Sequence, residues 1–148
     1  EITILTDWYT DDLFFFEDSI IIRSDFSRIF CDTERFSDDS QEVMAKYGMG
    51  VLYEKSDNGQ VIREINPKLR AEILNNYYWP HHEKLNQAVN EQIKSNGKAL
   101  IVDCHSFPSK PLNRDLNQEK PRPDFNIGTD SFHTPDSLIE ISKIFFNR

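Results

Sequence analysis

One stretch constrains this chain more than any other: Ala99 to Ser106, ALIVDCHS. It opens as an apolar run, bounded in front by Asn96-Gly97 and behind by Pro108. A short apolar run between turn residues reads as a buried strand, and a buried helix segment has the same pattern. Read as a strand, it ends on Asp103, Cys104, His105 and Ser106. Ligands of open α/β sheets collect beyond the carboxyl ends of the strands. Asp103 and His105 are two apart, so an extended backbone points both to one side. A carboxylate beside an imidazole can orient the ring and raise its basicity. Such a pair suits a metal site or a general base. The plainer alternative is a structural histidine bonded to a loop carbonyl.

The rest of the composition limits what such a site can serve. The chain has 148 residues, one domain's worth and enough for a sizeable core. Its formal net charge of -8, with no basic stripe, argues against nucleic acid or an anionic membrane as partner. No apolar run approaches a membrane span and no signal peptide is visible. Cys31 and Cys104 stand far apart in ordinary segments, which favours a reduced, cytoplasmic protein, with one disulfide as the alternative. The chain opens on Glu1 and stops at Phe146-Asn147-Arg148 without a capping signal, so a portion of a larger domain is expected.

Along the chain, Thr6 reads as the N-cap of a helix with acids in its first turn and Trp8, Tyr9, Leu13 and Phe16 at helical spacing. The acids there are either helix-start chemistry or, Asp7 first, groups that face a cation. Ser19 to Arg23 predicts a β-branched strand. Arg23, Arg28 and Arg35 follow among acids, either as surface ion pairs or, for one of them, as a bidentate clamp on a carboxylate. Val51 to Lys55 and Gln60 to Glu64 flank Asn58-Gly59 and predict a β-hairpin. Pro67 opens a helix with Leu69, Ile73, Leu74 and Tyr77 on one face. Tyr78 to His82 interrupts it, and Pro80 restarts a helix with a Leu85, Val89, Ile93 stripe and Gly97 as its stop.

His81 and His82 invite a metal reading, but neighbours on a helix diverge by about 100°, which makes two ligands for one ion difficult. Phe107 to Pro123 reads as a surface loop and Phe125 to Gly128 as a second short strand. Thr134 and Pro135 start a last helix whose buried face is Ile139, Ile141, Ile144 and Phe145. No nucleotide-binding glycine loop, HExxH, CxxC pair or GxSxG occurs.

Five pieces then occur in one order: TDWYTDDLF, DFSRIFCDTERF, YYWPHHEKL, IVDCHSFPS and RPDFNIGTDSFHTP. Together, over nearly the whole chain, they resemble the N-formylglutamate amidohydrolase family. The resemblance implies a fold similar to zinc carboxypeptidases and aspartoacylases: a three-layer α/β/α sandwich with a mixed sheet, here incomplete at both ends. It implies a Zn2+ or other divalent ion at strand ends, with His105 as a metal ligand and Asp7 as the candidate acid ligand. Asp103 would then back His105 from the second shell. The DFSRIF piece resembles a D-x-N-R-x-F element, which makes Arg28 the substrate-carboxylate clamp. Ser27 stands where that element has Asn, and Ser27 and Ser106 are further substrate contacts. His81 and His82 align with a Tyr/His-Pro-x-His element and receive a pocket role.

The family's first zinc histidine, in a Pro-His-Ser/Asp-Gly strand, and its catalytic Glu have no counterpart in these residues. This segment alone is therefore expected to be inactive. The implied reaction is hydrolysis of an N-acyl amino acid, N-formyl-L-glutamate foremost. The alternatives are a metallocarboxypeptidase-like peptidase and a non-catalytic binding domain that keeps the fold. Nothing in the residues points to an oligomeric state.

Overall fold

The computed structural model describes residues 1–146, with side chains through Ile144. Its longest regular element follows from strong local signals. The Asn66 side chain accepts the Leu69 N–H at 2.9 Å, and Pro67, which has no N–H to waste, occupies the first turn of α2 (Pro67–Ile73). The chain does not break at Tyr78 to His82 as expected. It widens into a π-helical turn over Leu74–Tyr78 and runs on as α3 (Trp79–Asn96). Pro80 cannot supply a helix N–H, and a wider turn just before it accommodates the ring without ending the helix. Gly97, at φ 73°, closes α3 by donating its N–H to the Ile93 carbonyl at 2.8 Å.

The core lies beneath α2 and the π turn. Cys31, Val51, Leu52, Ile73 and Tyr78 are buried together, with Phe26, Phe30, Ile65, Leu69 and Leu74 packed against them. Phe26, Phe30 and Tyr77 meet edge to face, the closest pair at 4.8 Å. The α3 stripe contributes less than its spacing suggests: Leu85 and Val89 are half-buried and Ile93 is exposed.

The expected α/β/α sandwich with a mixed sheet is not what forms. Among the described residues there is no β-strand, so there is no sheet to sandwich. Ser19 to Arg23, Ala99 to Asp103 and Phe125 to Gly128 are irregular, and Leu100, Ile101 and Val102 are exposed rather than buried. A strand is stable only when its N–H and C=O groups pair with a neighbour, and none of these runs has one alongside. The hairpin survives as its turn. Gly59, at φ 86°, supplies the left-handed residue, Ser56 exchanges bonds with Gln60 across it, and one antiparallel bridge joins Lys55 to Val61.

The first helix is also shorter than expected. α1 covers only Thr10–Leu13, and its cap is Tyr9 in the left-handed region, not Thr6, whose hydroxyl instead bonds back to the Ile2 carbonyl. The triple phenylalanine after it is exposed.

In place of strands, side chains hold the segment that carries Arg28. Arg63 donates through Nη2 to the carbonyls of Ile29 and Phe30, both at 2.8 Å, and through Nε to that of Tyr53 at 2.7 Å. Arg70 donates to the Ser37 carbonyl, Tyr78 Oη to that of Arg35, and the Asp32 N–H bonds the Val51 carbonyl at 2.8 Å. Buried irregular backbone must find such partners or lose stability.

The chain forms two compact units, Glu1–Phe107 and a second beginning at Pro108. The first holds everything above. In the second, Arg122 pairs with Asp115 at 3.0 Å, and Asp130 accepts the Phe132 and His133 N–H groups in a turn ahead of α4 (Asp136–Phe146). On α4 Leu138 and Ile139 are half-buried, whereas Ile141 and Ile144, expected inside, are exposed. The Phe145 side chain, expected on the same face, lies outside the described residues.

Candidate functional site

His105 sits among several charged side chains of the first unit. Its Nδ1 is 2.9 Å from Asp7 Oδ2. On the other edge of the ring, Nε2 faces Asp103 Oδ2 at 3.4 Å and Glu34 Oε2 at 3.7 Å. Arg28 Nη2 lies 3.0 Å from Glu34 Oε2 and 3.8 Å from Asp7 Oδ2. Three carboxylates therefore surround one imidazole, with a guanidinium bridging two of them.

The electrostatics follow from that crowding. The hydrogen bond to Asp7 holds the His105 pKa up to about 9; burial opposes this, while the charges of Glu34 and Asp103 add to it. Burial pushes the Glu34 carboxyl above the usual range, and His105 and Arg28 pull it partly back. Burial works against the Arg28 charge, but Asp32 and Asp7 outweigh it and leave the guanidinium more firmly protonated than in water. Without a bound cation the imidazole is thus an imidazolium at neutral pH.

Glu34, Asp103 and His105 each offer one ligand atom, and these atoms lie within 4.8 Å of one another. Two donors on one tetrahedral zinc, each about 2.0–2.1 Å from it, stand about 3.3 Å apart. The Nε2 distances of 3.4 and 3.7 Å are near that separation. A nitrogen and two carboxylate oxygens suit a divalent ion of the zinc or manganese type. The donor set fits such an ion in atom type and spacing, on three residues that are all exposed.

The sequence-predicted residues fall into two groups. His105, Asp7, Asp103 and Arg28 come together as described. Asp7 meets Nδ1, and Asp103 stands on the Nε2 edge with Glu34. Ser27 follows a local path: its Oγ accepts the Ile29 N–H and its carbonyl accepts from Phe30 and Cys31. Ser106 is half-buried beside His105 in the chain. His81 and His82 stand in the first turn of α3 and do not join the group around His105. The His82 ring packs 4.3 Å from the Tyr78 ring with a buried, unpartnered Nε2, and burial lowers the His81 pKa. Cys31 and Cys104 are free thiols, the former pushed up to about 11 by burial.

Glu34 was missed by reading the acids of this segment as surface partners for its arginines. A turn at Thr33-Glu34, not a strand alternation, separates the buried Asp32 and Thr33 from the exposed Glu34, so residue spacing carried no signal for it. No described helix is long and apolar enough to cross a membrane. Among known proteins, the family model for N-formylglutamate amidohydrolase matches residues 1–144. No curated protein and no solved structure matches the chain.

Proposed function

Because the chain belongs to the N-formylglutamate amidohydrolase family, we propose that it serves to hydrolyse the amide bond of a small N-acyl amino acid, N-formyl-L-glutamate first, with a zinc or similar divalent ion at His105. The observation that carries this reading is the imidazole held by Asp7 through Nδ1 while Nε2 faces two carboxylates. His105, Glu34 and Asp103 would hold the ion, which when bound supplies an activated water and positive charge for the developing oxyanion.

The chain's own groups do the rest. Asp7 accepts the Nδ1–H, which fixes the ring and leaves the Nε2 lone pair for the ion. The second proton of the imidazolium has to leave before that lone pair is available. Arg28 keeps its charge, and its Nη1 takes part in none of the ion pairs above, so it is the donor that meets a substrate carboxylate. Asp103 and Glu34 thus take the ligand role, and Asp7 becomes the orienting group.

The test is metal content and formate release by the protein at its natural full length. About one divalent ion per chain is expected, with equimolar formate and glutamate as products and both lost in His105→Ala. Equal turnover by a chelator-stripped protein would sink the metal reading. Faster cleavage of short peptides than of N-acyl amino acids would replace it with a peptidase.

A further inference from the structure

Beneath the site lies a carboxylate that touches none of the candidate ligand atoms. Asp32 is the most enclosed acid in the charge network, its side chain 3% exposed. Each of its oxygens has a separate task. Oδ1 accepts the Glu34 N–H at 3.1 Å. Oδ2 accepts the Tyr53 hydroxyl at 3.0 Å and faces two guanidinium Nε atoms, Arg35 at 3.5 Å and Arg28 at 4.0 Å. Tyr53 is itself almost wholly buried, and among the described residues the Arg35 Nε has no hydrogen-bond partner. The Asp32 N–H is tied to Val51, so backbone and side chain are both held from the core.

We propose that Asp32 is a positioning residue for the hydrolytic site, fixing Glu34 through its main chain and Arg28 through its charge, with Tyr53 holding the carboxylate in register. The inference rests on the functional reading of Glu34 and Arg28 above. A bond from an Asp side chain to the N–H two residues on is by itself an ordinary turn device. What goes beyond it is the second oxygen. A buried carboxylate between two guanidinia is costly unless its partners are ordered around it, and that ordering is what places the Arg28 fork beside Glu34. An enclosed hub of this kind transmits sub-ångström shifts to the groups above it, and catalysis is sensitive to such shifts.

Asp32→Asn separates the two tasks. The amide oxygen still accepts the Glu34 N–H, while the charge facing Arg28 and Arg35 is gone. In the full-length protein, kcat/KM for N-formyl-L-glutamate is expected to fall about tenfold or more, mainly through KM, with the zinc dissociation constant changed less than about twofold. A merely structural role would reduce the active fraction, and so kcat, without moving KM. Tyr53→Phe keeps the packed ring and removes only the hydroxyl; a KM rise of about three- to tenfold is expected, and it carries the test if Asp32→Asn fails to fold. Unchanged KM in both variants, or in Tyr53→Phe alone where the other does not fold, overturns the proposal.

If the wild-type protein neither binds zinc nor releases formate, the functional reading fails by itself. A crystal structure of Asp32→Asn, or of Tyr53→Phe in its place, then decides the positioning. Separation of the Arg28–Glu34 pair, now at 3.0 Å, supports it, and an unmoved pair overturns it.

Discussion

Two irregular stretches meet at the site, and they are built in opposite ways. Ser27 to Ser37 carries Arg28, Asp32 and Glu34 and is pinned from outside itself, by Arg63, Arg70, Tyr78 and the Val51 carbonyl. Ala99 to Ser106 carries Asp103 and His105 and, among the described residues, has no such ties. Its apolar residues are exposed, Leu100 at 68% and Val102 at 66%, and its link to the first stretch is the His105 ring among carboxylates. A segment without strand or helix can still be rigid if buried donors reach its carbonyls. A segment with strand-forming residues stays loose if no neighbour pairs with it. Glu34 and the Arg28 guanidinium are thus presented from a firm floor, and the loose stretch brings the His105 imidazole and Asp103 to them.

That contrast can be broken in order of effect. His105→Ala removes the only group from the loose stretch that engages Asp7, and hydrolysis should fall about a thousandfold or more, measured as formate release. A loss under about tenfold would mean that the firm side alone carries the chemistry. Asp7→Asn tests the hold on the ring: zinc affinity should weaken about 10- to 100-fold in a chelator competition, with the fold retained.

Stability should divide along the same line. Val51 is wholly buried under the firm stretch, and Val51→Ala should cost about 2 kcal/mol in urea unfolding. Val102→Ala on the loose stretch should stay within about 0.5 kcal/mol. Equal costs would show that Leu100 to Val102 are packed in solution.

The pH dependence is a gentler probe. In the metal-free fold the His105 pKa is about 9, above the unfolded value of about 6.5. The folded state therefore holds more protons in this window. The stabilisation is fully present below about pH 6.5 and is lost as the pH rises through about 9. The raised Glu34 carboxyl gives a slope of the same sign at lower pH. The urea midpoint of metal-free protein should decline across the His105 window, and Asp7→Asn should flatten the decline. A midpoint that rises with pH there would remove His105 from the carboxylate group.

Much of this was legible because it is local. Asn66-Pro67 and Gly97 bound their helices through caps that depend on a few neighbouring residues, and Asn58-Gly59 turns the chain wherever it sits. The family, matched over residues 1–144, was legible from the order of its motifs; His105, Asp7, Asp103 and Arg28, named from the same motifs, lie close together in space. The tertiary structure decided what depends on partners distant in the chain. ALIV has strand-forming residues, but a strand exists only where another backbone pairs with it, and among the described residues none does. Which carboxylate meets Nδ1 and which meets Nε2, the entry of Glu34, and the burial of Asp32 under both arginines depend on contacts that span up to 98 positions. Residue type and spacing carry no information about such distances, because the interaction of charges is set by separation in space and by how much water is excluded between them.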